Sequence, residues 1–324
     1  MKMKTAIFFS IMVCTPLAAS AQEASSSFSW GDVTFQPRVY AGYADYTLQS
    51  GDFDVTTIYY DGRPPKSEKQ RLNFDLAGHN KIQIKGPLFG IGGTVASGRF
   101  FGDFYYQSTL DDTAYSSFEE IVDAFTIHEG DVDAQHYDWA LSIGYLITDQ
   151  WSVFVGYKAG NTEWDQAYNF NPRPPFDTTK LALTGKIDGE FEQDGPFLGT
   201  SYSFPVGPGV LSVKAAYAYL DGTYKRSAYG VIYPPFSGTP EELDVYSYGK
   251  LNGNSDAYSF GISWSQPISH NLGYSVGANY HRYEFDMSGT LQTKQQNVPF
   301  EQRASGGSLT EELFTVTASL LYTF

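Results

Sequence analysis

Past residue 22 the chain alternates apolar and polar residues almost everywhere, and helix-period patterns are nearly absent. A two-residue period puts successive side chains on opposite faces of an extended strand. In "DWALSIGYLITDQWSVFVGYKAG", Trp139, Leu141, Ile143, Tyr145 and Ile147 share one face, and Asp138, Ala140, Ser142, Gly144 and Thr148 share the other. After a short turn at Asp149–Gln150, the set Trp151, Val153, Val155 and Tyr157 alternates with Ser152, Gly156, Lys158 and Gly160. "AYSFGISWSQPISHNLGYSVGANYHRYEF" repeats the plan: Tyr258, Phe260, Ile262 and Trp264 oppose Ser259, Gly261, Ser263 and Ser265. Across its turn, Leu272, Tyr274, Val276, Ala278 and Tyr280 oppose Ser275, Gly277, Asn279 and His281. Two architectures accept such strands. One is a soluble sandwich; the other is a closed barrel in lipid, where the sheet itself must satisfy every backbone group.

The ends of the apolar rows favour the barrel. Large rings collect there, as expected of girdles at two lipid–water interfaces, whereas a sandwich core takes rings at any height. Aromatic residues make up 17% of the chain and charged residues only 18%, against about 25% charged in ordinary soluble domains. Ten strands are expected, at roughly 33–48, 80–96, 99–110, 137–148, 151–164, 185–204, 209–225, 255–268, 272–286 and 311–324. Their joints alternate strictly: short at 97–98, 148–150, 205–208 and 267–271, and long at 49–79, 111–136, 165–184, 226–254 and 287–310. That sorts tight turns to one end of a barrel and long loops to the other.

The termini fit this scheme. Lys2 and Lys4, the apolar run "AIFFSIMVCTPLA" and the small residues "ASAQ" form the layout of a secretory signal peptide with cleavage after Ala21. The run is shorter than the roughly 20 residues a membrane-spanning helix needs, and it contains Pro16. The single cysteine, Cys14, lies within the segment to be removed, so residues 22–324 can hold no disulfide. The other end, "FTVTASLLYTF", sets Phe314, Val316, Ala318, Leu320, Tyr322 and Phe324 on one face, an apolar edge that something must bury.

On the signal peptide, the alternating strands and the ending "SLLYTF", the chain resembles a Gram-negative outer-membrane β-barrel protein. That resemblance implies an all-β, transmembrane, antiparallel up-and-down barrel of about ten strands over residues 22–324, with short periplasmic turns and five long external loops. It also implies location in the cell outer membrane, contact with its lipid, and insertion by the barrel-assembly machinery. In that class an aromatic terminal strand is similar to an assembly signal, which here falls on Leu320, Tyr322 and Phe324.

Other features bear on shape and chemistry. "KGPLFGIGG" at 85–93 and "DGPFLGTSY" at 194–202 each set Gly-Pro inside a strand. In the second, Asp188, Glu190 and Glu192 share a parity with the later Leu198, Tyr202 and Phe204, so a β-bulge is expected near each Gly-Pro. Double prolines in "GRPPKSE", "NPRPPFDTT" and "IYPPFSGTP" stiffen three loops. The lumen is expected to hold Arg99, Asp103, Lys158, Glu190, Glu192, Lys214 and His281, pairing across the interior. Residues 111–136 carry eight acidic side chains and no Lys or Arg. Glu129, Asp131 and Asp133 are candidate cation ligands there, although "HEGDVDAQ" lacks a full alternating-acid loop with a closing Glu.

No catalytic or cofactor motif is present: neither Gly-x-Ser-x-Gly, nor His-Glu-x-x-His, nor a phosphate-cradling loop. A formal charge of −15 argues against nucleic-acid binding. The leading expectation is a non-enzymatic surface barrel whose acidic and aromatic loops meet a ligand, a cation or the cell envelope. A second is a narrow porin-like channel for small solutes, though ten strands lie close to the side-chain-filled limit. A third is a rim protease like the omptins, ten-stranded barrels with an Asp pair facing an Asp–His pair. Asp111–Asp112 sits at a suitable rim, but "YLDGTYKR" offers Asp221 with no nearby His. Nothing in the sequence sets an oligomeric state.

Overall fold

The alternating segments zip into one sheet that closes on itself. The computed structural model describes residues 33–51, 54–59, 66–70, 81–110, 113–117, 121–122, 125–127, 130–172, 183–232, 243–295 and 298–324. Ten long strands form the wall: β1 (Val33–Ser50), β2 (Lys81–Ser97), β3 (Phe100–Thr109), β4 (Gly130–Leu146), β5 (Trp151–Pro172), β6 (Leu183–Val206), β7 (Gly209–Ile232), β8 (Leu243–Pro267), β9 (Leu272–Gln295) and β10 (Val298–Tyr322). Each pairs antiparallel with its sequence neighbours. Closure comes from β1 against β10, in register from Arg38↔Leu321 to Ser50↔Leu309. The expected strand number, order and up-and-down topology all hold, and no edge is left in the wall.

The short turns lie at one end. Gly98 and Gly207 there adopt positive φ of 57° and 60°, which a side chain would disfavour in so tight a hairpin. Phe324 finishes the seam at the same end. Its N–H donates to the Phe35 carbonyl at 3.0 Å, and the two rings stack at 6.1 Å. Deleting Phe324 removes both contacts. The expected result is a reduced yield of folded, heat-modifiable protein on gel electrophoresis; wild-type yield would contradict a role in closure.

Outward-facing apolar side chains form a belt above the short turns. It includes Val39, Phe89, Ile91, Leu141, Ile143, Val155, Leu198, Val213, Phe260, Ile262, Val316 and Leu320, with Ile143 67% exposed. Rings rim it on both sides. Trp151, Tyr202, Tyr322 and Phe324 lie toward the turns; Tyr43, Tyr106, Tyr157, Tyr258 and Tyr280 lie toward the loops. Tyr157, Tyr217 and Tyr280 donate their hydroxyls to Asp194, Asp256 and Glu312, each two residues further from the turns on the adjoining strand. The belt therefore ends sharply in a row of carboxylates, as an apolar band meeting water should.

Beyond that row the wall inverts. On β10 the outward residues change from Phe314, Val316 and Leu320 to Glu312 and Thr310, while Leu313 and Leu309 turn inward and are buried. On β9, Arg282, Glu284 and Asp286 face out, and Tyr283, Phe285 and Met287 face in. The loop-end half is thus a water-facing barrel with its own apolar core, built from Tyr46, Ile84, Leu88, Trp164, Phe191, Leu220, Phe285, Met287 and Leu313 among others. The turn-end half has its apolar side outward. The same inversion explains why strands run past their expected bounds. Pairing continues to Gly130 on β4, Leu243 on β8 and Val298 on β10, well into segments expected as loops, because backbone bonding persists where the outward face has become polar.

At each Gly-Pro one flank pairs without a break, through Gly86↔Ala44 and Pro87↔Tyr43, and through Gly195↔Lys158 and Pro196↔Tyr157. The other flank is interrupted there: β6–β7 pairing skips Gly195 and Pro196 without changing register, and beside Gly86–Pro87 the register moves by one residue, from Leu88↔Thr109 to Gln83↔Tyr115. The polarity change in β6 is one outward face passing from water, at Glu190 and Glu192, into hydrocarbon, at Leu198 and Tyr202. A further register shift lies between Met287 and Gly289 of β9, opposite Gly306 of β10, whose φ of 68° accommodates the extra residue.

Candidate functional site in the barrel interior

Inward-facing rows fill the lumen with a simple steric device: a large side chain on one strand lies over a glycine directly paired with it. A methyl group on Gly144, Gly156, Gly189 or Gly199 would come within 2.1–2.5 Å of the ring of Phe101, Phe197, Trp164 or Phe154. These are register partners across β3–β4 and β5–β6. The glycines make room, and the rings cover backbone that glycine leaves bare.

Where the apolar core of the loop-end half stops, a buried polar cluster spans the barrel. Asp138 of β4 and Lys158 of β5 are 0% and 4% exposed, with Oδ2 and Nζ 3.7 Å apart. Gln107 Nε2 donates to Asp138 Oδ2 at 3.0 Å, and His136 Nε2 lies 3.6 Å from the same oxygen. Lys158 Nζ donates to the Tyr283 hydroxyl at 2.8 Å, and that hydroxyl contacts His281 Nδ1 at 2.9 Å. Thr162 Oγ1 bonds Tyr46 at 2.6 Å and His136 Nδ1 at 2.9 Å, while the Tyr46 and His136 rings stack at 4.2 Å. On the opposite wall Gln193 Nε2 donates to Glu311 Oε1 at 2.7 Å. These residues come from seven strands, so the cluster ties the wall together across its width.

Toward the turns the interior opens into a cavity of about 190 Å³. Its lining runs from Gln150, Ser203 and Ser212, beside the short turns, up to Lys158, His281 and Tyr283. Arg38, inward on β1, forks onto Asp103 of β3 with two contacts of 2.7 Å, and Thr94 donates to the same carboxylate at 2.6 Å.

The lumen residues expected from sequence divide in two. Asp103, Lys158, Lys214 and His281 line the interior. Arg99 does not: it is exposed in the Ser97–Phe100 turn, bonding the Ile147 carbonyl at 3.3 Å. Glu190 and Glu192 also lie outside, because β6 turns Phe191 and Gln193 inward. They grip Lys225 of β7 at 3.0 and 2.7 Å on the water-facing wall, where Glu192 first and then Glu190 push the Lys225 pKa up. Sequence reading left out Arg38, His136, Tyr283 and Glu311. A signal existed in the charges at inward parity, Arg38 and Glu311, and in His136 two residues from the inward Asp138.

Glu129 lies outside the described residues, and of Asp131 only the backbone is described; Asp133 is exposed on β4. No group of three or more His, Cys, Asp or Glu among the described residues could hold a metal ion. The pattern of an acid pair facing an Asp–His pair is not assembled there either. Asp221 points outward on β7, and His281 is engaged with Tyr283 inside; Asp111 and Asp112 lie outside the described residues. Residues 1–21, expected as a signal peptide, and most of the double-proline segments do as well. Leu320, Tyr322 and Phe324 face outward beside the seam.

No protein-family model matches this chain, and no curated protein matches it. Its structure is similar to that of the outer-membrane protease OmpT from Escherichia coli, with a TM-score of 0.56 at 13% identity, covering 93% of this chain and 99% of that one. Among other similar structures are the translocator domain of the autotransporter NalP from Neisseria meningitidis and the outer membrane protein OprG from Pseudomonas aeruginosa. NalP gives a TM-score of 0.36 at 11% identity over 95% of each chain. OprG gives 0.26 at 12% identity over 90% of this chain and 95% of that one. The fold is that of the outer-membrane β-barrels, here closed with ten strands. Identity this low carries the fold and not the activity.

Proposed function

We propose that this chain is an integral outer-membrane barrel that works through its loop-end surface, as a non-enzymatic partner of the envelope or of an external ligand, rather than through its lumen. One observation carries the reading: the apolar core of the loop-end half, with Tyr46, Phe191 and Phe285 fully buried, crosses the path a solute would take. The water-facing wall supports it. β7 to β10 rise far past the tyrosine rim, bearing Tyr229, Tyr246, Tyr248, Lys225 and Lys250 outward. On this reading residues 1–21 direct export, Leu320, Tyr322 and Phe324 serve assembly, and the acidic segment 111–136 lies on the external side.

The channel alternative is tested in planar bilayers. Folded wild-type protein should leave the membrane silent at concentrations where insertion is verified; discrete conductance steps would overturn the reading. Peptide cleavage by the folded barrel, lost on changing Asp111 or Asp112 to Ala, would overturn its non-enzymatic part.

A further inference from the structure

We propose that the turn-end cavity is a binding site for a small carboxylate with an apolar body about the size of one aromatic ring. The inference concerns the half of the lumen that the surface reading leaves without a role.

Charge sets the sign of the ligand. Asp103 is the carboxylate in the lining, and Arg38 and Thr94 already occupy it. Lys158 is held by Tyr283 and Asp138. Lys214, on an inward row of β7, has neither a hydrogen bond nor an ion pair among the described residues, and it stays exposed inside the lumen. Its stem crosses the wall at Gly261, where a methyl group would lie 2.4 Å from Cε. The glycine lets the ammonium reach over the sheet into the cavity. An unpaired cation inside the wall, where the local dielectric lies below that of bulk water, favours an anion more than one on the outer surface does.

Hydroxyls add the remaining polar contacts. Ser152 and Ser201 bond each other at 2.7 Å, as do Ser203 and Ser212 at 2.6 Å. Within each pair one hydroxyl donates and the other accepts, so each pair keeps one O–H free to donate elsewhere. Ser201 is also the register partner of Lys214. A carboxylate beside Lys214 would therefore meet an ammonium and a spare hydroxyl on one face of the cavity.

Apolar side chains also line the cavity, among them Phe101, Phe154, Phe197, Ala140 and Ala216, beside Ser142, Gln150, Ser259 and Ser263. The Phe154 and Phe197 rings meet edge-on at 6.2 Å, an arrangement with ring edges and faces available to a third ring. A dry cavity of about 150 Å³ suffices to hold benzene, so about 190 Å³ takes one ring with its carboxylate. With the loop-end half filled, entry is from the side of the short turns.

Calorimetric titration of the folded barrel with benzoate tests this. Wild type should bind benzoate, and benzyl alcohol, which matches its size without the charge, should bind at least about tenfold more weakly, the scale of one charge-assisted hydrogen bond. Lys214→Met should weaken benzoate by a similar factor and leave benzyl alcohol unchanged. Ala216→Phe should fill the cavity and abolish both. Heat-modifiable mobility confirms folding of each variant, and Lys214 supports no neighbour whose loss would unfold the wall. Absence of benzoate binding to folded wild type at millimolar concentration would overturn the proposal, as would equal binding by wild type and Lys214→Met. Conductance is read separately, so a leaking barrel and an empty cavity are distinguishable results.

Discussion

Replacing Asp138 with alanine is expected to destabilise the barrel by about 3–5 kcal/mol, the cost of stranding the partner of a buried ion pair. Lys158 would keep its charge at 4% exposure with its nearest carboxylate gone. His136 Nε2 and Gln107 Nε2 would lose the shared oxygen they face, in a region with no water-facing alternative. Urea titration in detergent micelles measures the effect. The double variant Asp138→Ala, Lys158→Met should recover much of the loss, since removing both charges is far cheaper than removing one. A single variant within about 1 kcal/mol of wild type would mean that Glu311 and solvent screen Lys158 well enough to replace Asp138.

Val155→Arg is expected to cost about 2–4 kcal/mol, the price of an arginine near the bilayer midplane on the lipid face. Val155 is outward and flanked by Leu141, Ile143 and Leu198, all exposed side chains in the belt. The informative comparison is Tyr248→Arg, also on an outward row but past the carboxylate line. There the outward face meets water, and the change should stay within about 0.5 kcal/mol. Unfolding free energies in lipid vesicles give both numbers. Equal costs at the two positions would show that the belt continues to the loops and that no inversion exists.

Much of the candidate site was legible as position but not as partnership. Lys158 and His281 can be placed inside because each falls on the Gly, Ser and Asn parity of a strand whose other parity is apolar, and Lys214 because it alternates with Val213 beside Ser212; Asp103 is the polar member of a strand with rings on both parities. Arg99 was misplaced because one residue of turn, at the edge of a row, releases it from the parity rule. Glu190 and Glu192 were misplaced for a more instructive reason. Polar residues at one parity mark the lumen only at the depth of the hydrocarbon. Past the tyrosine rim the polar face is the outer one, so the same rule gives the opposite side.

By itself the sequence determined the ten strands, their order, the two ends and the lipid-facing rows of the turn-end half. These are local quantities: a period, a row length and a joint length each lie within one hairpin. The loop-end core, the cluster around Asp138 and Lys158, and the cavity beside Lys214 were decided by the tertiary structure alone. They bring together residues from strands that are neighbours only once the barrel has closed, as Gln193 and Glu311 do across 118 positions of chain. Closure also fixes the level at which water replaces hydrocarbon outside the wall, and that level reverses which face of every strand must be apolar.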